Sequence, residues 1–259
     1  MTSRLPALIV GHGNPMNALA NNTYTQAWAE LGRALPRPRA IVVISAHWYL
    51  PMTAVTATAQ PRTIHDFGGF PRALFEYQYP AAGDTNVAHE VKAQLQSHDV
   101  ALDYEWGLDH GTWAVLCHMY PKADVPVLQL SIDETLPARE HYRIGQQLAP
   151  LRDRGILILG SGNVVHNLHT YAWGKHEHEP YDWATRFEQQ VRASVISGDH
   201  EPLINYEQLG KDAALSAPTP EHYLPLLYVL GTAHADDVPS FPVTGMDGGS
   251  VSMMSVELG

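Results

Sequence analysis

Short, mostly apolar runs with β-favouring residues, each bounded by Gly, Pro or polar residues, occur at 7–10, 40–44, 125–130 and 156–159. Runs of that length and composition predict strands buried on both faces. Further strands are expected near 242–243 and 252–256. Between them the apolar residues fall at helical spacing, predicting helices over 25–35, 86–97, 141–151 and 183–197, with 113–119 in another. Strands alternating with helices predict an α/β fold: one central, mostly parallel (mixed) sheet flanked by helices on both faces. Two stretches, 51–78 and 170–181, read as long loops, which in compact domains are usually functional or disordered. No repeat, low-complexity tract or linker divides the chain, so a single domain is expected over 1–259.

Composition narrows the function classes. In 259 residues, 45% are hydrophobic and 17% charged, enough for a sizeable core without staples. The net charge of -11 repels phosphate backbones and anionic lipid, so neither nucleic acid nor membrane is an expected partner. A lone cysteine, Cys117, excludes an intrachain disulfide and a Cys-based zinc site. Among Val115, Leu116 and Met119 it reads as a buried, inert thiol. Residues 1–13 lack the features of a signal peptide, and no stretch reaches the roughly 18 apolar residues of a membrane span, so a cytoplasmic address is expected.

Histidine is the outlier: there are 15, against 16 Lys plus Arg. Three predicted strands run into histidine-bearing stretches: Gly11-His12-Gly13, Ser45-Ala46-His47-Trp48, and Gly160-Ser161-Gly162-Asn163-Val164-Val165-His166-Asn167. The carboxyl ends of strands in open α/β sheets line one crevice. One histidine past a strand is more often a satisfied loop or core residue, but three with Gly or Ser beside them could aim three imidazoles at one metal ion. A fourth candidate lies in Pro218-Thr219-Pro220-Glu221-His222-Tyr223, where Thr219 can cap a helix and Pro220 suits its first position. Glu221 and His222 then face different ways, so only one joins a site, and Pro225 disturbs the helix locally. His110, in an Asp-His-Gly turn before a helix, sits where the helix end favours a neutral imidazole able to hold an anionic ligand atom.

The remaining histidines carry less. His65 and Asp66 could form an oriented pair or a lid. His176 and His178 alternate with Glu and read as surface. His89, His98, His118, His141, His169, His200 and His234 follow no pattern. The phosphate-loop, nucleophile-elbow, His-Glu-x-x-His and dinucleotide signatures are absent.

As an ordered set, Gly11-His12-Gly13-Asn14-Pro15-Met16, Ser45-Ala46-His47-Trp48, Thr63-Ile64-His65-Asp66-Phe67-Gly68-Gly69-Phe70-Pro71, Asp109-His110-Gly111, Ser161-Gly162-Asn163-Val164-Val165-His166-Asn167 and Pro220-Glu221-His222-Tyr223-Leu224-Pro225-Leu226 resemble the DOPA 4,5-dioxygenase (extradiol) family. That family sits among the class III extradiol ring-cleaving dioxygenases, beside the protocatechuate 4,5-dioxygenase catalytic subunit. The resemblance covers nearly the whole chain. It implies a single catalytic domain that uses non-haem Fe(II) to open a catechol such as L-DOPA with O2. It implies His12, His47 and His222 as ligands, with Glu221 adjacent to the last; His166 as acid/base or a further ligand; and His110 as a contact to substrate or oxygen. Zn(II) also suits an imidazole-rich site and can occupy it as purified.

Two other readings stay open at this stage: a zinc hydrolase on the same scaffold, in which the metal activates water, and a non-enzymatic binding protein. The expected small-molecule partners are a catechol and O2. Sequence leaves the oligomeric state and the regiochemistry of cleavage open.

Overall fold

A computed structural model describes residues 4–176 and 178–259. The strands are β1 (Ala7–Gly11), β2 (Ala40–Leu50), β3 (Ala54–Thr56), β4 (Ala101–Asp103), β5 (Val127–Asp133), β6 (Ile156–Gly162), β7 (Pro239–Ser240), β8 (Met246–Asp247), β9 (Val251–Ser252) and β10 (Val256–Leu258). The helices are α1 (Thr23–Ala34), α2 (Arg72–Glu76), α3 (Thr85–Gln94), α4 (His110–Met119), α5 (Ala138–Leu148), α6 (Pro150–Asp153), α7 (Asp182–Ser197), α8 (Glu201–Ile204), α9 (Lys211–Ser216) and α10 (Leu224–Gly231).

Eight strands form one sheet in the order β4-β3-β5-β2-β6-β1-β10-β7. Its centre is parallel: β2 pairs with β5 and β6, and β6 with β1. Antiparallel pairs join β3 to β5, β1 to β10 and β10 to β7. The alternation of side chains along each strand divides the core in two. Ile9, Val42, Ile44, Leu128, Leu130 and Ile158 pack with residues of α3, α5, α7 and α10. Leu8, Val10, Ile41, Val43, Leu157 and Leu159 pack on the other face with residues of α1 and α4. The mostly parallel sheet with helices on both faces is therefore as the hydrophobic pattern predicts.

Several boundaries move, for physical reasons. β2 runs on through His47 to Leu50, with its pairing to β5 slipping between Ile44 and Tyr49; such an irregularity re-aims side chains near a sheet edge. β6 continues through Gly160-Ser161-Gly162, because its neighbours β1 and β2 pair with those small residues. Stretch 51–78 is not one loop: it holds β3 and α2. The expected strand at 242–243 is loop, and the expected strand at 252–256 splits between β9 and β10. The helix expected from Thr219 starts at Leu224, after a turn, so Pro225 sits in its first turn, where no donor is lost. Cys117 is buried, as its neighbours imply.

Candidate active site

The carboxyl ends of β1, β2 and β6 meet at one edge, and the candidate histidines gather there. His12 follows β1, His47 lies within the last turn of pleat of β2, and His166 lies just past β6, where its N–H donates to the Ser216 carbonyl at 2.7 Å. His222 occupies the turn before α10. Its carbonyl accepts from the Asn163 N–H at 2.8 Å, and a Cβ on Gly162 would fall 2.3 Å from the same oxygen. Only glycine lets the end of β6 approach this closely, so Gly162 helps to place His222. His110 is the first residue of α4, behind an Asp109 cap. A side chain on Gly111 would meet the Ser45 hydroxyl at 2.6 Å and the His47 ring at 3.0 Å.

His12, His47 and His222 each offer a ring nitrogen, and the three atoms lie within 4.8 Å of one another. His166 stands outside that trio; its ring stacks flat on His222, centroids 3.5 Å apart and planes 5° from parallel. His47 and His110 are also in contact, with centroids at 3.9 Å.

Hydrogen bonds behind the rings fix which nitrogens face inward. The Ser161 hydroxyl donates to the Gly111 carbonyl, so it accepts from His12 Nδ1–H at 3.0 Å. Asp66 Oδ2 takes His47 Nδ1 at 3.2 Å and His110 Nδ1 at 3.0 Å, while Oδ1 accepts the His110 backbone N–H at 2.9 Å. His222 Nδ1 lies 3.4 Å from Glu221 Oε1, which also accepts from Thr219 Oγ1 at 2.6 Å. With the Nδ1 protons committed outward, the neutral rings present Nε2 lone pairs to the centre. His12 Nε2 and His47 Nε2 stand 3.2 Å apart. Two acceptors at that separation repel unless a cation or proton lies between them.

Burial keeps these rings neutral. It pushes His12 and His222 well below the ordinary imidazole range, with repulsion among the histidines adding to it. It lowers His47 to about 3, the charge of His110 contributing next, and His166 to about 4. Burial alone would raise Asp66, but its hydrogen bond from His110 and the charges of His110 and His47 outweigh it and hold the carboxyl below its usual range. Neutral imidazoles backed by a carboxylate and a hydroxyl are a donor set for a divalent metal.

The three nitrogens open onto a cavity of about 220 Å³, whose lining includes His110, His166, Phe70, Leu168, Tyr171, Trp173 and Asp247. The histidines singled out from the sequence do lie together in the structure, and what orients them is not visible in the sequence. Asp66 serves His110 and His47, not its neighbour His65, whose Nε2 bonds the Tyr77 carbonyl at 2.9 Å. Ser161 was legible only as part of a Gly-Ser-Gly strand end. His176 is exposed, as expected, yet its Nδ1 reaches Asp247 at 2.9 Å. His178 bonds the Glu179 carbonyl at 2.7 Å. Among the described residues, no helix is long and apolar enough to cross a membrane.

Comparison with known proteins agrees with this geometry. A 4,5-DOPA dioxygenase extradiol from Escherichia coli (strain K12) is 51% identical over all of this chain and 96% of its own length. One from Beta vulgaris is 35% identical over 94% of this chain and 92% of its own. The crystal structure of an uncharacterized protein from Escherichia coli K12 superposes with a TM-score of 0.86 at 47% identity, covering 99% of this chain and 100% of that one. Residues 5–246 match the sequence profile described as the catalytic LigB subunit of aromatic ring-opening dioxygenase. A match over that span, on a chain whose strand ends deliver an inward-facing histidine trio, shows that the chain belongs to this ring-opening dioxygenase family.

Proposed function

We propose that the chain is a single catalytic domain that opens a catechol such as L-DOPA beside its hydroxyl pair, by 4,5-cleavage with O2, giving a muconic semialdehyde-type product. The observation that carries the reading is the 3.2 Å approach of His12 Nε2 to His47 Nε2, two lone pairs that a cation between them would satisfy. His12, His47 and His222 are the residues that would hold it. Glu221 then serves as the orienting partner of His222, since its Oε1 is already shared with Thr219 and the His222 ring.

Fe(II) in this donor set would supply a Lewis-acidic, redox-active centre with positions left for both catechol oxygens and O2. His166 faces the cavity and makes no ring hydrogen bond among the described residues. Its depressed basicity keeps it unprotonated at neutral pH, ready to accept a proton from a catechol hydroxyl. His110 has a carboxylate, Asp66, behind its Nδ1. That contact fixes the ring and leaves Nε2 free to hydrogen-bond substrate or oxygen in the cavity. Phe70, Leu168 and Val251 supply apolar wall for the aromatic ring and exclude water.

The zinc-hydrolase reading lacks support from the relatives above, which are named as dioxygenases. Fe(II), a cytoplasmic address and the 4,5 regiochemistry belong to the proposal. The test is to load the protein anaerobically with Fe(II), add L-DOPA and admit O2. The expected result is oxygen uptake with a yellow product. Absence of both, with ester cleavage on Zn(II) loading, would overturn it.

A further inference from the structure

We propose that Asp247 is a specificity-determining residue that selects catechols whose side chain carries a protonated amine; the inference rests on the ring-cleavage reading above. Asp247 is the one carboxylate among the described residues lining the cavity, and neither Lys nor Arg lines it. Its side chain is 8% exposed. Oδ2 accepts from the Tyr171 hydroxyl at 2.8 Å, and Oδ1 from His176 Nδ1 at 2.9 Å. A carboxylate has about four acceptor positions, so roughly two remain for a ligand.

The backbone ties this group to the catalytic end. Val251 pairs with Asp247 across the β8–β9 hairpin and forms a bridge with His166 on its other side. Asp247 and His166 are thus two strand spacings apart, roughly 10 Å. A catechol ring bearing a two- or three-carbon arm spans a comparable length. With its hydroxyls at the histidine trio, its arm reaches toward Asp247.

The wall chemistry favours a cation there. Tyr171 and Trp173 stand edge to face at 4.8 Å, and Trp173 is 66% exposed at the cavity mouth. Aromatic faces attract ammonium groups. An arm ending in a carboxylate without an amine instead meets Asp247 as a like charge, with neither Lys nor Arg in the lining to offset it. The expected order is therefore amine-bearing catechols first, uncharged catechols next, and carboxylate-only catechols last.

The test compares kcat/KM of the Fe(II)-loaded protein for dopamine, L-DOPA, 4-methylcatechol and 3,4-dihydroxyphenylpropanoate. Anaerobic calorimetry of dopamine against the propanoate reads binding without turnover. A charge-assisted contact predicts an advantage of about tenfold or more for the amines over 4-methylcatechol, carried in KM. Asp247→Asn is expected to bring that ratio to within about threefold of unity. Equal binding and turnover of the propanoate and dopamine by the unaltered protein overturns the proposal, as does a ratio that Asp247→Asn leaves intact. The unaltered protein decides the matter even if the variant fails to fold. Cleavage of no catechol at all would instead sink the ring-cleavage reading itself.

Discussion

The two ends of the sheet bury polar groups in opposite ways. At the amino ends of β1 and β6, the Arg152 guanidinium is fully buried. All five of its donors are used: Nε to the Leu5 carbonyl, Nη1 to the Thr232 carbonyl and Asp237, Nη2 to Asp237 and the Leu258 carbonyl. At the carboxyl ends, His12 and His222 are buried and His47 half-buried, but only their outer nitrogens are matched; the inner ones of His12 and His47 face each other as acceptors. A saturated polar cluster ties chain segments together. One with uncommitted lone pairs aimed at a common point is costly by itself and keeps its value for a ligand. Satisfaction of donors and acceptors, more than burial, separates the structural end from the chemical one.

The largest expected effect tests that division directly. Arg152→Met takes the two-pronged partner from the buried Asp237 carboxylate, which keeps only the His234 N–H and Arg4, and removes a donor from three carbonyls, a loss of about 3–5 kcal/mol. Urea unfolding of the metal-free protein measures it. His12→Ala, by contrast, removes one of two opposed lone pairs and is expected to change metal-free stability by less than about 1 kcal/mol while abolishing metal retention. Comparable destabilisation by both would erase the contrast. Next comes His166→Ala, expected to lower kcat by roughly 100- to 10,000-fold with metal content unchanged. If elemental analysis shows that metal is lost in parallel, His166 belongs with the ligands.

A smaller effect probes the orienting groups. Ser161→Ala removes the acceptor that holds the His12 Nδ1 proton outward. Metal affinity is expected to weaken by about 10- to 100-fold, as for other outer partners of ligating histidines. Titration with a competing chelator reads it, and an unchanged affinity would mean that packing alone orients the ring.

How much of this was legible in the sequence follows from what each signal encodes. The central strands announce themselves because burial on both faces demands mostly apolar runs with β-favouring residues. The edge pieces β3, β4 and β7 are two or three residues long and carry no such run. His12 and His47 could be found because strand ends converge in this fold class. Asp66 could not be paired correctly: its partners His47 and His110 are distant in sequence, and local reading offers the adjacent His65 first. Nor does periodicity show that Gly162 packs on the His222 carbonyl, since that contact exists only once β6 and the turn before α10 are brought together.

The smallest expected effect sharpens the comparison within one residue type. His141 is buried like His12 and His222, but both of its nitrogens are matched: Nε2–H donates to the Leu136 carbonyl at 3.2 Å, and Nδ1 accepts from the Tyr228 hydroxyl at 2.9 Å. Burial lowers it to about 4. An imidazole in the unfolded chain titrates near ~6.5. Between those values the unfolded state binds more protons, so the stability that neutral His141 contributes is complete above about pH 6.5 and declines as the pH falls toward 4. His141→Phe removes this titration. From pH 7 to pH 5 the parent protein is expected to lose about 2 kcal/mol more than the variant, read from urea midpoints at each pH. Because this histidine has no lone pair to offer, the difference should be the same with and without added metal. A difference that disappears on metal loading would couple His141 to the site and place it on the chemical side of the division.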